Sequence, residues 1–229
     1  GNKFGTDPRR YNSSNIGLRS KGMFRTQADV DAFMQANPNY RIYAVIPQPG
    51  WLNYEDINGD NIINDYDMVP LFDNTNSFFS TGLSLGLNFK DLALSTNILA
   101  RLGGKVFFDS RARSAPSLTR NVIPIWLDRW TPENPQDGRF PRFDDPSISR
   151  NSDFWAVDGT TIRINNLTLS YKLPSKLATK LGLTNARVLA TGNNLWTLVN
   201  PFTYKDPYTS SAYDYPAIRT ISMGLSLSL

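Results

Sequence analysis

The chain has 229 residues, a formal net charge of +4, 12% aromatic residues and a mean hydropathy of −0.36. It holds neither cysteine nor histidine, which excludes disulfides, Cys-based metal sites, Ser-His-Asp and Cys-His nucleophilic chemistry and most zinc sites. No run of about 18 apolar residues occurs, so no helix reads as membrane-spanning, while strands of alternating character average to neutral hydropathy and stay open. The basic residues are scattered. Their nearest approach to a patch, Arg111, Arg113 and Arg120, reads as a solvated loop, so no nucleic-acid partner is expected.

In chain order, residues 1–25 are polar and read as loop, with a short strand near 15–19. Thr26 can cap a helix predicted over 27–36: Asp29 lies in its first turn, Val30, Phe33 and Met34 form its apolar face, and Pro38 lies just beyond its end. Residues 39–53 are broken by Pro47, Pro49 and Gly50 and read as irregular. At 78–90 the pattern changes. Phe79, Thr81, Leu83, Leu85, Leu87 and Phe89 share one face of a strand, and Ser80, Gly82, Ser84, Gly86 and Asn88 share the other. A tight turn at Lys90 and Asp91 leads into a second alternating strand over 92–102, so the two form a hairpin. Residues 103–158 show no clear period, and connections of that length tend to be functional.

Alternation returns over 161–173, where Leu167, Leu169, Tyr171 and Leu173 face together. Ile162 and Ile164 have the opposite parity, which implies a bulge near Asn165 and Asn166 or a strand top that has left the membrane. Residues 174–185 read as a compact connector with a helical turn, 186–199 as a strand of ambiguous facing, and 200–215 as an aromatic, proline-bearing loop. The last stretch, 217–229, sets Ile221, Met223, Leu225, Leu227 and Leu229 against Thr220, Ser222, Gly224, Ser226 and Ser228.

One oily face and one small polar face, over about 9–11 residues per strand, is the pattern of a strand between lipid and a wet interior. The connections alternate short and long, as in outer-membrane barrels. The predicted fold class is therefore all-β: an antiparallel transmembrane β-barrel segment with long extracellular loops and short helices. It divides into an extracellular loop region over 1–76 and barrel strands with their loops over 77–229. The five predicted strands are fewer than the roughly eight of the smallest barrels, so the remaining barrel strands must be supplied from outside this stretch.

Several motifs, in this order, resemble the C-terminal portion of a SusC/RagA-type TonB-dependent outer-membrane transporter of the Bacteroidota. They are KGMFRTQADVDAF at 21–33, PGWLNYEDINGDNIINDYD at 49–67, DRWTPENP at 128–135 followed by FPRF at 140–143, TIRINNLTLSYKLP at 161–174, GNNLWTL at 192–198, KDP at 205–207 and YP at 215–216. The family usually has a glutamate after the Asp-Pro, where Tyr208 stands here, and ends on an aromatic residue, where this chain has Leu229. The resemblance implies roughly the last five strands of a barrel of about 22 with an internal plug. It implies a SusD-like surface lipoprotein as lid and import of oligosaccharide or peptide cargo. It also implies driving by TonB through an N-terminal portion absent from this sequence, and a place in the cell outer membrane, in contact with its lipid. No enzymatic activity is expected.

The residues also suggest a cation site. Asp56, Asn58, Asp60, Ile62 through its carbonyl, and Asp67 fall at the ligand positions of an EF-hand-like loop, with Ile63 as its apolar anchor. Asn61 stands where such loops have glycine, and Asp67 is shorter than the usual glutamate. Calcium in a structural role is one reading, and an Asx-turn loop held by its own hydrogen bonds is the other. Trp51, Trp126, Trp130 and Trp155 fall in outside loops, where they could meet sugar or the lid, or pack the loops together. Asp144 and Asp145 are adjacent in an extended loop and point apart, so they do not read as a catalytic pair. A different class of protein, a secreted calcium-stabilised β-sandwich that binds carbohydrate, would share the aromatics, the acidic loop and the alternation.

Overall fold

The structure is a computed structural model and describes residues 15–114, 122–215 and 217–228. The expected loop over 1–14, Arg120, Pro216 and Leu229 lie outside the described residues. Six short strands come first: β1 (Ile16–Gly17), β2 (Ser20–Met23), β3 (Arg41–Ile42), β4 (Leu52–Tyr54), β5 (Ile62–Ile63) and β6 (Val69–Pro70). Helix α1 (Gln27–Ala36) lies between β2 and β3. Its start is a reciprocal cap, with the Asp29 amide donating to the Thr26 hydroxyl at 3.2 Å and the Thr26 amide donating to the Asp29 carboxylate at 2.8 Å.

The main body is one antiparallel sheet of five strands: β7 (Phe79–Phe89), β8 (Leu92–Leu102), β11 (Thr161–Lys172), β12 (Asn185–Val199) and β13 (Thr220–Ser228), side by side in chain order. The short strands β9 (Lys105–Phe107) and β10 (Ala156–Asp158) pair where the long loop leaves and rejoins the sheet, and α2 (Ser110–Arg113) follows β9. The short helix α3 (Ser175–Lys180) fills the connector between β11 and β12. Lys90 takes a left-handed φ of +53° in the β7–β8 turn.

Cross-strand register explains why this sheet has two unlike faces. One row joins Leu87, Leu94, Leu169, Ala190 and Met223 across all five strands. The neighbouring row on the opposite face joins Gly86, Ser95, Thr168, Thr191 and Ser222, and another on that face joins Ser84, Asn97, Asn166, Asn193 and Thr220. Polar side chains there bond across strands: the Asn166 amide donates to Asn193 at 2.9 Å, and the Thr168 and Thr191 hydroxyls are 3.2 Å apart. On the other face Leu87, Phe89, Met223 and Leu225 stay two-thirds or more exposed. A sheet in water hides its apolar face, whereas a barrel wall presents it to lipid.

The parity break in β11 is a bulge. Both ladders of β11 shift register between Ile164 and Asn166 and pass over Asn165. Ile164 pairs with Ile98 and Leu167 with Thr96, so residues of both parities end on one continuous apolar face. The ambiguous facing of 186–199 resolves in the same register: Ala186, Val188, Ala190 and Gly192 lie opposite Leu227, Leu225, Met223 and Ile221. A sandwich would need a second sheet on this face. Among the described residues the other sheets have two strands each, and the apolar face is uncovered. No described helix is long and apolar enough to cross a membrane.

Leu167 lies in the middle row of the apolar face, opposite Thr96 and Gly192. Leu167→Arg is expected to cost roughly 2–4 kcal/mol in the lipid-embedded barrel, and Thr168→Arg, which faces the other way, far less. Urea unfolding of the whole protein in lipid vesicles measures both. Equal costs would overturn the assignment of faces.

Candidate functional site

The loops that join at one end of the sheet have two apolar cores of their own. In the first, Phe24, Phe33 and Tyr40 stack edge to face at 5.3 and 4.8 Å, with Val30 of α1, Leu52 of β4 and Ile63 of β5 buried around them. In the second, Phe140 stacks on Trp155 at 5.9 Å, and Trp126, Phe143 and Phe108 close around them. Such ring pairs contribute about 0.5–1.5 kcal/mol each beyond burial.

Specific polar ties hold the two cores together. The Trp51 indole donates to Asp144 at 3.1 Å, the Leu52 amide donates to Asp145 at 2.8 Å, and the Tyr54 and Ser147 hydroxyls meet at 2.9 Å. The Trp130 indole donates to the Arg25 carbonyl at 2.9 Å, and the Arg25 guanidinium returns a bond to the Gly138 carbonyl at 2.5 Å. The Arg142 guanidinium lies over the Trp130 ring at 5.6 Å. The DRWTPENP stretch therefore bolts the long loop to the start of α1.

Trp51, Trp126, Trp130 and Trp155 are 4%, 2%, 6% and 0% exposed. Stacking on a sugar or on a lid needs an open ring face, so these four rings pack loop against loop, the second of the two roles expected for them. Arg113 also departs from expectation. It is buried, donating to the Arg150 carbonyl at 2.6 Å and to Asn151 at 2.8 Å, with its guanidinium 5.9 Å from the centre of the Trp155 ring. The solvated basic patch thus loses its middle member.

The 56–67 loop has the local shape expected of it. Asn61 adopts a left-handed φ of +63°, and Ile63 is fully buried. The oxygens are already engaged. Asp56 accepts from the amides of Gly59 at 2.8 Å and Asn61 at 2.7 Å, and Asp60 accepts from Ile62 at 2.7 Å and from the Asn58 side chain at 3.0 Å. Buried Asp67 accepts from Ile57 at 3.0 Å and Asn64 at 2.9 Å, and the Ile62 carbonyl accepts from the Asn64 side chain at 3.0 Å. Among the described residues no three acidic side chains form a metal-holding group. The donor atoms suit calcium in kind, but as placed they do not converge on one ion.

Two ties escaped sequence reading. On β11, Arg163 reaches Asp206 at 2.9 Å, both largely buried, and its guanidinium covers the Tyr208 ring at 5.1 Å. This pair fastens the 200–215 loop to the sheet. The same loop stacks Tyr204 on Phe108 at 5.2 Å, so it joins the second core as well. The signal in the sequence was an arginine amid an alternating strand and an aspartate in the KDP motif, too far apart to be matched without coordinates. The other tie is Asp145, set aside as half of an unpromising acid pair. It is buried, accepts from Leu52 and from the amide and hydroxyl of Ser147, and is pushed up to about 6 because burial outweighs those bonds.

No family model matches the chain. It is 29% identical over 235 residues to the TonB-dependent receptor P26 of Formosa agariphila, covering 93% of this chain and 22% of that protein. It is 26% identical over 196 residues to TonB-dependent receptor P3 of the same organism, covering 78% of this chain and 19% of that one. The chain thus spans about a fifth of the length of the curated relatives it matches. Among solved structures, the RagAB peptide transporter superposes with a TM-score of 0.64 at 18% identity, and the RagAB peptide importer in its open-open state with 0.62 at 19%. Each superposition covers 93% of this chain and 22% of the other.

The Asp145 carboxyl supplies a pH test. Its folded value of about 6 lies above the ordinary 3.8, so the folded state holds the extra proton. The stability this group contributes is therefore full below about pH 4 and is lost as pH rises through about 6. Loop proteolysis of the whole protein should slow as pH falls from 7 to 5, and Asp145→Asn should remove that dependence. A profile unchanged in the variant would place the titration elsewhere. Over most of its length the chain is thus similar in sequence to part of two TonB-dependent receptors, and it shares its fold with the corresponding part of RagAB.

Proposed function

We propose that this chain supplies barrel wall and external loops to an outer-membrane, TonB-dependent active importer. The polar face of the sheet borders the transport lumen, the apolar face meets lipid, and the loop cluster stands outside the cell beneath a SusD-like lipoprotein lid. The observation that carries this is a sheet with one apolar face, one mostly polar face and, among the described residues, two unpaired edges, β7 and β13. In hydrocarbon such edges need further strands beside them. The relatives named as TonB-dependent receptors support the coupling to TonB, which would act through parts of the receptor outside this stretch. The likeness to RagAB, named as a peptide importer, supports peptide as cargo ahead of oligosaccharide. The chain's part is to bind and guide, with no chemical step on the cargo.

Uptake of a labelled oligopeptide by cells carrying the intact receptor is the test. Uptake should stop when the proton gradient is collapsed, and it should stop when the partner lipoprotein is deleted. Uptake indifferent to both, or a receptor recovered in the soluble periplasmic fraction, would overturn the reading.

Calcium is our proposal for the 56–67 loop. Oxygen donors at alternate positions, the left-handed Asn61 and the buried Ile63 support it. Binding would turn the free lone pairs of Asp56, Asp60 and Asp67 toward one point. Calorimetric titration of the purified receptor should give a dissociation constant of roughly 10⁻⁴–10⁻³ M, the range of extracellular calcium modules. Asp56→Asn with Asp67→Asn should abolish it. No heat in the unaltered receptor would leave the loop held by its own amides.

A further inference from the structure

We infer that the small cavity at the loop end of the sheet's polar face is a carboxylate-binding subsite for cargo, with Arg101 as its anchoring cation. This rests on the reading that the polar face borders the lumen. Arg101 is the last inward-facing residue of β8 on that face, directly opposite Ser80 of β7. With Asn76, Ser77, Ser80 and Lys105 it lines a cavity of about 320 Å³, and no carboxylate lines it.

Arg101 differs from five other arginines: Arg19, Arg139, Arg142, Arg150 and Arg163 each face an acidic partner. The Arg101 guanidinium is exposed and makes no hydrogen bond or ion pair with any described residue. Lys105 is partly compensated by Asp158, its cross-strand neighbour, whose carboxylate accepts from the Thr160 amide at 2.9 Å. The cavity therefore keeps a net positive charge, and an unused planar donor fork projects beside hydroxyl and amide groups.

The cavity is also built into the backbone. Gly103 and Gly104 follow β8 with φ of +69° and +81°. A Cβ at Gly104 would stand 2.8 Å from the Ser77 amide nitrogen and the Thr75 carbonyl oxygen. A Cβ at Gly159 would stand 3.1 Å from the Gly103 carbonyl oxygen. Three glycines thus let three segments close around the space, and larger residues would fill or distort it.

A guanidinium matches a carboxylate through two parallel N–H···O bonds, a charge-assisted pairing that neutral cargo cannot make. The volume sits at the small end of ligand pockets, right for one terminal residue and not for a whole oligomer. A peptide's C-terminal carboxylate fits both limits. The same chemistry could come from an acidic side chain of the receptor itself, outside this stretch, and the experiment separates the two sources.

Equilibrium binding is measured on the purified whole receptor in detergent with two probes: an N-terminally labelled neutral oligopeptide with a free C-terminus and the same peptide amidated. The free acid should bind about tenfold tighter than the amide, the scale of one charge-assisted hydrogen bond. Arg101→Gln should bring the acid down to the amide and leave the amide unchanged, and Arg101→Lys should restore part of the difference. Loss of both peptides in Arg101→Gln would assign Arg101 to an internal carboxylate and overturn the subsite. Equal binding of the two peptides by the unaltered receptor, or no binding of either, would overturn it as well. The import reading is judged separately, by gradient-dependent uptake, so a receptor that imports without preferring the free acid loses only the subsite.

Discussion

The five-stranded sheet follows from the demand that a backbone in hydrocarbon bond to itself. A strand buried in lipid has no water to satisfy its amides and carbonyls, so each must meet a neighbouring strand. That demand sets the long ladders of β7, β8, β11, β12 and β13, and between β7 and β8 the pairing is unbroken from Phe79 opposite Leu102 to Phe89 opposite Leu92. It also fixes side-chain facing, because a ladder in register commits every second residue to lipid. The register shift beside Asn165 preserves this commitment: without it, Ile162 and Ile164 would turn inward and polar neighbours would turn out.

The sheet was legible in the sequence because its environment imposes a period of two on single residues. The strands expected at 78–90 and 92–102, the capped helix at 27–36 and the irregularity at Asn165 and Asn166 all came from alternation or capping chemistry, which are local. The facing of β12 was not legible, since Ala, Gly, Thr and Asn carry too little contrast on either face, and only its pairing with Leu225 and Met223 decides it. The loops hid more. Trp51 meets Asp144 and Arg163 meets Asp206 across separations of 93 and 43 residues, and no local pattern marks such pairs.

Aromatic residues in this chain therefore work in two ways that composition cannot separate. Phe79 and Phe89 on β7 and Tyr171 on β11 stand exposed on the lipid face, whereas Trp126 and Trp155 are hidden inside the loop cluster. The buried group turns long irregular segments into a packed body with its own interior. Asp145, Arg113 and the Arg163–Asp206 pair then place charge within that interior, where each must be bonded to be tolerated.

The loop interior also separates packing from surface identity. Leu127, Tyr215 and Tyr66 project from the loops at 85%, 80% and 67% exposure, and the stacked rings beneath do not lean on their side chains. Surface positions of this kind can be exchanged at little cost in stability. The outermost tips of the chain can thus change their side chains while the tryptophan frame of the loop cluster keeps its shape.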